Sequence, residues 1–167
     1  MGWQLWCYIW NRENEIMIDI IKSDLKFRYD KMLRLNPDKV KIIILHHICA
    51  SNMSVEDIHK IHLRNGWAGI GYHYYIRKDG SVYEGRPDVY VGSHCQGNNS
   101  CSIGIAFEGD FRKDKPTDEQ IKSCREVCKV IKSKYKNVYK ILNHRDLCKT
   151  LCPVANLKEM VGTACIQ

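Results

Sequence analysis

The chain has no apolar run of the roughly 18–20 residues that a membrane-crossing helix needs, which excludes stable insertion through such a helix. Its basic residues never gather into a dense run, so the arm by which many proteins grip nucleic acid is missing, as is any basic-aromatic cluster. No nucleic-acid partner is therefore expected. No internal repeat and no low-complexity tract appear, which argues against solenoids and disordered linkers. The apolar start, Met1 to Trp10, lacks both a basic n-region and a small-residue cleavage site, so no secretory signal is recognisable. A full intramolecular disulfide framework is also excluded, because the nine cysteines are odd in number. These absences together predict synthesis in a reducing cytoplasm with mostly free thiols.

What is present suits one globular domain: 167 residues, 44% apolar and 27% charged. The formal charge of +7, from 26 basic and 19 acidic residues, favours an anionic partner, although solubility alone would account for it. Residues 1–16 carry three tryptophans and then the polar Asn11-Arg12-Glu13-Asn14-Glu15. They read as an N-terminal extension of uncertain role, with an anchor for a surface or partner as the functional option. Residues 17–167 read as a single domain.

Local patterns give the element order. Lys41 to Leu45 is short, continuous and β-branched, as a strand buried on both faces should be. Ser54, with Asp57 three residues on, predicts a capped helix through Val55, Ile58, Ile61 and His62, ended near Gly66. His59 and His62 are expected at the surface or the core edge. Tyr72 to Tyr83 reads as a hairpin with a two-residue Asp79-Gly80 turn. Gly85 to Asn99 is loop-like. Ile103 to Phe107 is another buried strand, in which Gly104 predicts a close approach. Thr117 caps a helix striped by Ile121, Cys124, Val127, Cys128, Ile131 and Tyr135. Cys124 and Cys128 have the spacing of a metal pair but sit in the apolar stripe, where cysteine serves as a small hydrophobe. Val138 to Leu142 is a strand, and Val154 to Met160 a closing helix. Strands interleaved with helices predict an α/β fold, a central mixed β-sheet of about five to six strands flanked by helices.

Chemistry concentrates where two of these strands end. Val40 to Leu45 runs into His46-His47, and Val138 to Leu142 runs into Asn143-His144-Arg145-Asp146, with Cys152 eight positions after His144. Two imidazoles and a thiolate can hold zinc with one position open. The spacing alone does not single out a metal site. Cys152 could equally be a nucleophile activated by His144, a reading that a chelator and an alkylating agent would separate.

A set of segments narrows the choice. Ile43-Ile44-Leu45-His46-His47, Gly66-Trp67-Ala68-Gly69-Ile70-Gly71-Tyr72-His73-Tyr74, Lys78 to Arg86, Val91-Gly92-Ser93-His94, Ser102 to Phe111, and Asn143 to Pro153 occur in one order over residues 40–157. In these the chain resembles the type-2 N-acetylmuramoyl-L-alanine amidases, which include phage amidase-type lysozymes and animal peptidoglycan recognition proteins. The resemblance implies one Zn²⁺ per chain, held by His46, His144 and Cys152 at the strand ends in a surface groove, with 17–167 as the catalytic domain. It implies catalytic roles for Tyr72 and Thr150, and substrate-binding roles for His94, Asn99, His47 and Trp67, His47 also being a neighbour of the metal. Asp146 is expected to be structural, and Glu108 to pack at a strand end or lie at the surface. The implied partner is peptidoglycan or its muropeptides. The implied activity is hydrolysis of the amide between N-acetylmuramic acid and L-alanine, by a phage or prophage endolysin or a bacterial autolysin. Such a protein would be made in the bacterial cytoplasm and act on the wall after phage-type release or tail delivery. The alternative is a recognition module that binds the wall without cutting it; some relatives without the cysteine ligand behave so.

Overall fold

The computed structural model describes the backbone of Cys7–Tyr8 and residues 18–167. The proposed extension 1–16 therefore lies almost wholly outside the described residues. Seven strands form one mixed sheet: β1 (Cys7–Tyr8), β2 (Asp19–Lys22), β3 (Ile42–His47), β4 (Tyr74–Ile76), β5 (Val82–Glu84), β6 (Ser102–Phe107) and β7 (Lys140–Asn143), in the order β1-β2-β5-β4-β6-β3-β7. Six of these fall within residues 18–167, as expected. The two-residue β1 adds an antiparallel edge to β2. The centre is parallel, with β3 between β6 and β7 and β4 parallel to β6. Among the described strands, only the β4–β5 and β1–β2 pairs are antiparallel.

Every residue of β3 and β6 is buried, which is why both read as continuous apolar runs instead of alternating ones. Helices cover both faces. Helix α2 (Asp118–Lys134) lies on one, with α3 (Leu157–Val161) beside it, over a core that includes Ile43, Leu45, Ile103, Ile105, Phe107, Val127 and Ile131. Cys124 and Cys128 are fully buried in that core, so they pack as hydrophobes. Helix α1 (Val55–Arg64) lies on the other face, where Val55 and Ile58 join Ile70, Tyr75 and Ala106.

The helix starts follow from their caps. Ser54 and Asp57 form a reciprocal capping box on α1, and Thr117 and Gln120 form another on α2. The hairpin differs from its expectation. Arg77 N–H donates to the Ser81 carbonyl, and Gly80 N–H to that of Arg77. The loop is therefore Lys78-Asp79-Gly80, three residues long, with Gly80 at φ +84°. A left-handed third residue is what such a loop needs to match the strand twist. The closing helix also begins later than expected, at Leu157. The chain ahead of it is engaged by Arg145, whose guanidinium donates to the carbonyls of Pro153 and Val154.

Candidate metal centre and active-site groove

Register brings the distant histidines together. In the β3–β7 ladder Leu45 stands opposite Asn143, so the next residues, His46, still paired with β6, and His144, just past β7, lie at the same end of the sheet. This is the carboxyl end of the parallel strands, where α/β sheets characteristically place ligands. After β7 the chain turns through a 3-10 helix, His144–Asp146, in which Asp146 accepts from the Asn143 N–H and pairs with Lys158. It then loops back, and the Arg145 N–H donates to the Cys152 carbonyl at 2.7 Å. Cys152 thus returns beside His46.

The side-chain donors of His46, His144 and Cys152 all lie within 4.8 Å of one another, and Cys152 Sγ is 4.0 Å from His46 Nδ1. Ligands placed 2.0–2.3 Å from a tetrahedral centre stand roughly 3.3–3.8 Å apart, so small side-chain adjustments would close the set on one ion. Protonation states agree with that use. Burial, and then the neighbouring His144, hold His46 well below the usual imidazole pKa, and burial lowers His144 as well. Both present neutral nitrogens. Burial pushes the Cys152 thiol up to about 11, while the backbone N–H of His47 opposes the rise. A metal is the partner that would favour its thiolate.

His46 is also oriented from behind. Its Nε2 is 3.0 Å from Nδ1 of His94. If Nδ1 of His46 serves a metal, Nε2 carries the proton and donates to His94, the outer-shell support that metal-ligating histidines usually have. His94 is itself fixed: Asn99 Oδ1 accepts from the backbone N–H groups of both His94 and Cys95. A Cβ on Gly104 would lie 2.6 Å from the His94 ring, which explains the glycine in a buried strand. His94 and Asn99 thus shape and support the groove as well as lining it.

His47 goes the other way. Side chains alternate along a strand. Ile42 and Ile44 share the groove face with His46, whereas Ile43 and Leu45 point under α2. The His47 ring accordingly stacks on Phe111 at 5.5 Å, and its Nδ1 accepts the Phe111 N–H. Nε2, 3.1 Å from Cys49 Sγ, must then carry the proton. This tautomer is wrong for the ligand cluster that His47, Cys49 and Asp110 would otherwise form. His47 touches the centre through its backbone alone: its N–H reaches Cys152 Sγ at 3.5 Å, and its carbonyl lies 3.7 Å from the same sulfur.

The remaining expected residues surround the cup. The ring of Tyr72, just before β4, lies 5.2 Å from that of His46. Thr150 Oγ1 accepts the Cys152 N–H, leaving its own O–H to donate elsewhere. Trp67, His94, Asn99, His144 and Thr150 line a groove of about 480 Å³, together with Ser93, Cys95 and Cys148. Trp67 and Ser93 continue into a second hollow of about 310 Å³, walled by Lys31, Leu33, Arg86 and Val91. Glu108 is buried and accepts from the backbone N–H groups of Asn52 and Lys78, so of its two expected places it takes the strand end and not the surface.

Two supporting histidines were not legible. His73 is fully buried, with Nδ1 accepting the Gly104 N–H and Nε2–H donating to the Tyr90 carbonyl. His59, expected at the surface or core edge, is buried, and its Nδ1 accepts the Ile70 N–H. Such roles carry no local signal, because the partners lie 11 to 31 residues away. Only the aromatic neighbours of His73 hinted at burial.

Comparison with known proteins agrees with this geometry. A family model described as N-acetylmuramoyl-L-alanine amidase matches residues 36–155. A human N-acetylmuramoyl-L-alanine amidase is 35% identical over 119 residues, covering 69% of this chain but 20% of the human protein; the chain thus spans about a fifth of that relative's length. The endolysin of Enterobacteria phage T3 is 34% identical over 116 residues, 66% of this chain and 76% of the phage protein. Among solved structures, the endolysin amidase LysCS from Clostridium intestinale superposes with a TM-score of 0.76 at 36% identity, covering 84% of this chain and 91% of that one. With the match spanning both strands that deliver the histidines and the turn that returns Cys152, this chain belongs to the N-acetylmuramoyl-L-alanine amidase family.

Proposed function

We propose that this chain is a zinc-dependent peptidoglycan hydrolase that cleaves the amide between N-acetylmuramic acid and the L-alanine of the stem peptide. The observation that carries the proposal is the meeting of two imidazoles and one thiol beside a groove of about 480 Å³. Zinc bound there would polarise the scissile carbonyl as a Lewis acid and bring the pKa of a water toward about 7.

The protein's own groups divide the remaining work. His94 keeps the His46 imidazole turned toward the cup. Burial, followed by the nearby Cys152 and Cys49, raises the pKa of the Tyr72 hydroxyl. Tyr72 therefore stays protonated at neutral pH and acts as a hydrogen-bond donor. Thr150 accepts the Cys152 N–H, which leaves its own O–H free to donate. Both donors suit the oxyanion that develops as an amide carbonyl is attacked. The exposed Trp67 offers an apolar platform at the junction of the two hollows for the sugar or peptide stem.

The biological setting proposed is that of a phage or prophage endolysin, or an autolysin, made in the bacterial cytoplasm and acting on the wall after release. No described helix is long and apolar enough to cross a membrane. Mass analysis of products from purified peptidoglycan tests the reaction: a free L-alanine amino terminus on the stem is expected. Cys152→Ser should retain muropeptide binding and lose hydrolysis. Binding by the unaltered chain with no bond cut would instead mark a recognition module. Normal stem release by Cys152→Ser would overturn the metal assignment.

A further inference from the structure

We infer that Cys95 and Cys148 form a disulfide that pins the loop carrying Thr150 to the opposite wall of the groove. Their sulfurs are 3.3 Å apart, although the residues are 53 positions distant in sequence. A disulfide sets sulfurs about 2.05 Å apart, so a closure of about 1.3 Å suffices, within reach of side-chain rotation.

The two ends differ in how they are held. Cys95 is buried against Ile42 and Ile44, and the backbone N–H groups of His94 and Cys95 are locked by Asn99. Residues 147–151 have no comparable anchorage. Their backbone hydrogen bonds are local: Leu147 and Cys148 donate to the His144 carbonyl, and Thr150 to that of Cys148. Thr150 Oγ1 receives only the Cys152 N–H. Leu151 is 77% exposed. Among the described hydrogen bonds, this loop reaches another part of the fold only through Cys148 Sγ, to Cys95 and, at 3.9 Å, to the Gln96 carbonyl. A covalent link would act at the one residue through which the loop hydrogen-bonds to the body.

The same sulfurs, with His144, could also gather around a metal. His144 is already needed beside His46 and Cys152, so a second complete metal site would compete with the first. A disulfide leaves His144 free. Formation needs a low-molecular-weight disulfide as oxidant. The more accessible Cys148 thiolate attacks one sulfur of oxidised glutathione and releases one glutathione thiolate. Cys95 then attacks the mixed-disulfide sulfur of Cys148 and releases the second, so two protein thiols are oxidised and one glutathione disulfide is reduced to two thiols.

The test uses the full chain with one equivalent of Zn²⁺, incubated with oxidised glutathione. A non-reducing tryptic digest should join the peptide holding Cys95 to Asp146–Lys149. Closing so long a loop should raise Tm by roughly 5–10 °C, reversibly with dithiothreitol. Both effects should persist in Cys101→Ser, which alters the other cysteine of the Cys95 peptide, and vanish in Cys148→Ser. Since Cys148 is only half-buried, that variant should fold even if Cys95→Ser does not. Three results would each overturn the inference. One is no cross-link, or one that uses Cys49, Cys101 or Cys152. Another is a cross-link without a Tm change. The third is a second equivalent of zinc bound by the reduced chain and lost in Cys148→Ser. None of these readouts depends on hydrolysis, so the proposed activity stands or falls separately.

Discussion

The two faces of the sheet are built from the same strands for opposite purposes. Under α2, Ile43, Leu45, Ile103, Ile105 and Phe107 interlock with Val127 and Ile131, and the packing is apolar almost throughout. On the groove face the same strands present His46, and the elements around them add His73, His94 and Tyr72. One face gains stability by removing apolar surface from water. The other forgoes part of that gain to hold neutral imidazoles at fixed angles: His73 bonds to backbone groups, whereas His46 and His94 bond to each other and His94 Nε2 meets no partner among the described residues. A single step along β3, from His46 to His47, crosses from one regime to the other.

Substitutions at that step should separate the two regimes most widely. His46→Ala is expected to lose zinc and at least about 10³-fold in hydrolysis, more than the loss of a single transition-state donor. His47→Ala should keep zinc and lose roughly 1–3 kcal/mol of stability, because the buried Phe111 N–H loses its acceptor. Metal content by mass spectrometry and denaturant melts check the pair, and equal zinc loss in both would break the comparison. Tyr72→Phe should then lower kcat by about 10²–10³ with KM and Tm little changed, if the hydroxyl donates to the transition state. Steady-state kinetics on a soluble muropeptide would show it.

On the opposite face, Ile131→Ala should cost about 2–5 kcal/mol through the cavity it leaves. Activity per folded molecule should be unchanged well below the lowered Tm, and an equal loss of kcat would show that the faces are coupled. The last effect expected is on pH dependence. Burial lowers the His73 pKa to about 4, despite the opposing pull of the Tyr90 carbonyl. In the unfolded chain its pKa is near 6.5, so between these values the unfolded state binds the extra proton. Stability from this group is complete above about pH 6.5 and falls as pH drops toward 4, by roughly 3 kcal/mol in all. Urea melts at pH 7 and pH 4.5 of the unaltered chain and His73→Phe should show a smaller decline in the variant.

Elements with strong local grammar were legible in advance. The Ser54–Asp57 capping box, the Thr117 cap, the apolar runs of β3 and β6, the α2 stripe and the tight spot at Gly104 were all read from the local sequence. The hairpin loop came out one residue longer than its Asp79-Gly80 signal, because a turn dipeptide does not fix where the ladder resumes. For the site, the family segments pointed to His46, His144, Cys152, Tyr72 and Thr150, and the fold places all five around one groove end. His94 and Asn99 were read as substrate contacts. Their hydrogen bonds also tie them to His46 and to the loop backbone.

The chain's own order of residues settled the sheet, the helices and which residue types could meet a metal, since those depend on periodicity, caps and donor chemistry. The tertiary fold alone decided that His46 faces the groove while His47 is turned under α2, that His73 and His59 are buried supports, and that Cys95 meets Cys148. Each of these depends on which face of the sheet a side chain takes and what another segment brings to it, and neither is fixed until distant strands pair in register.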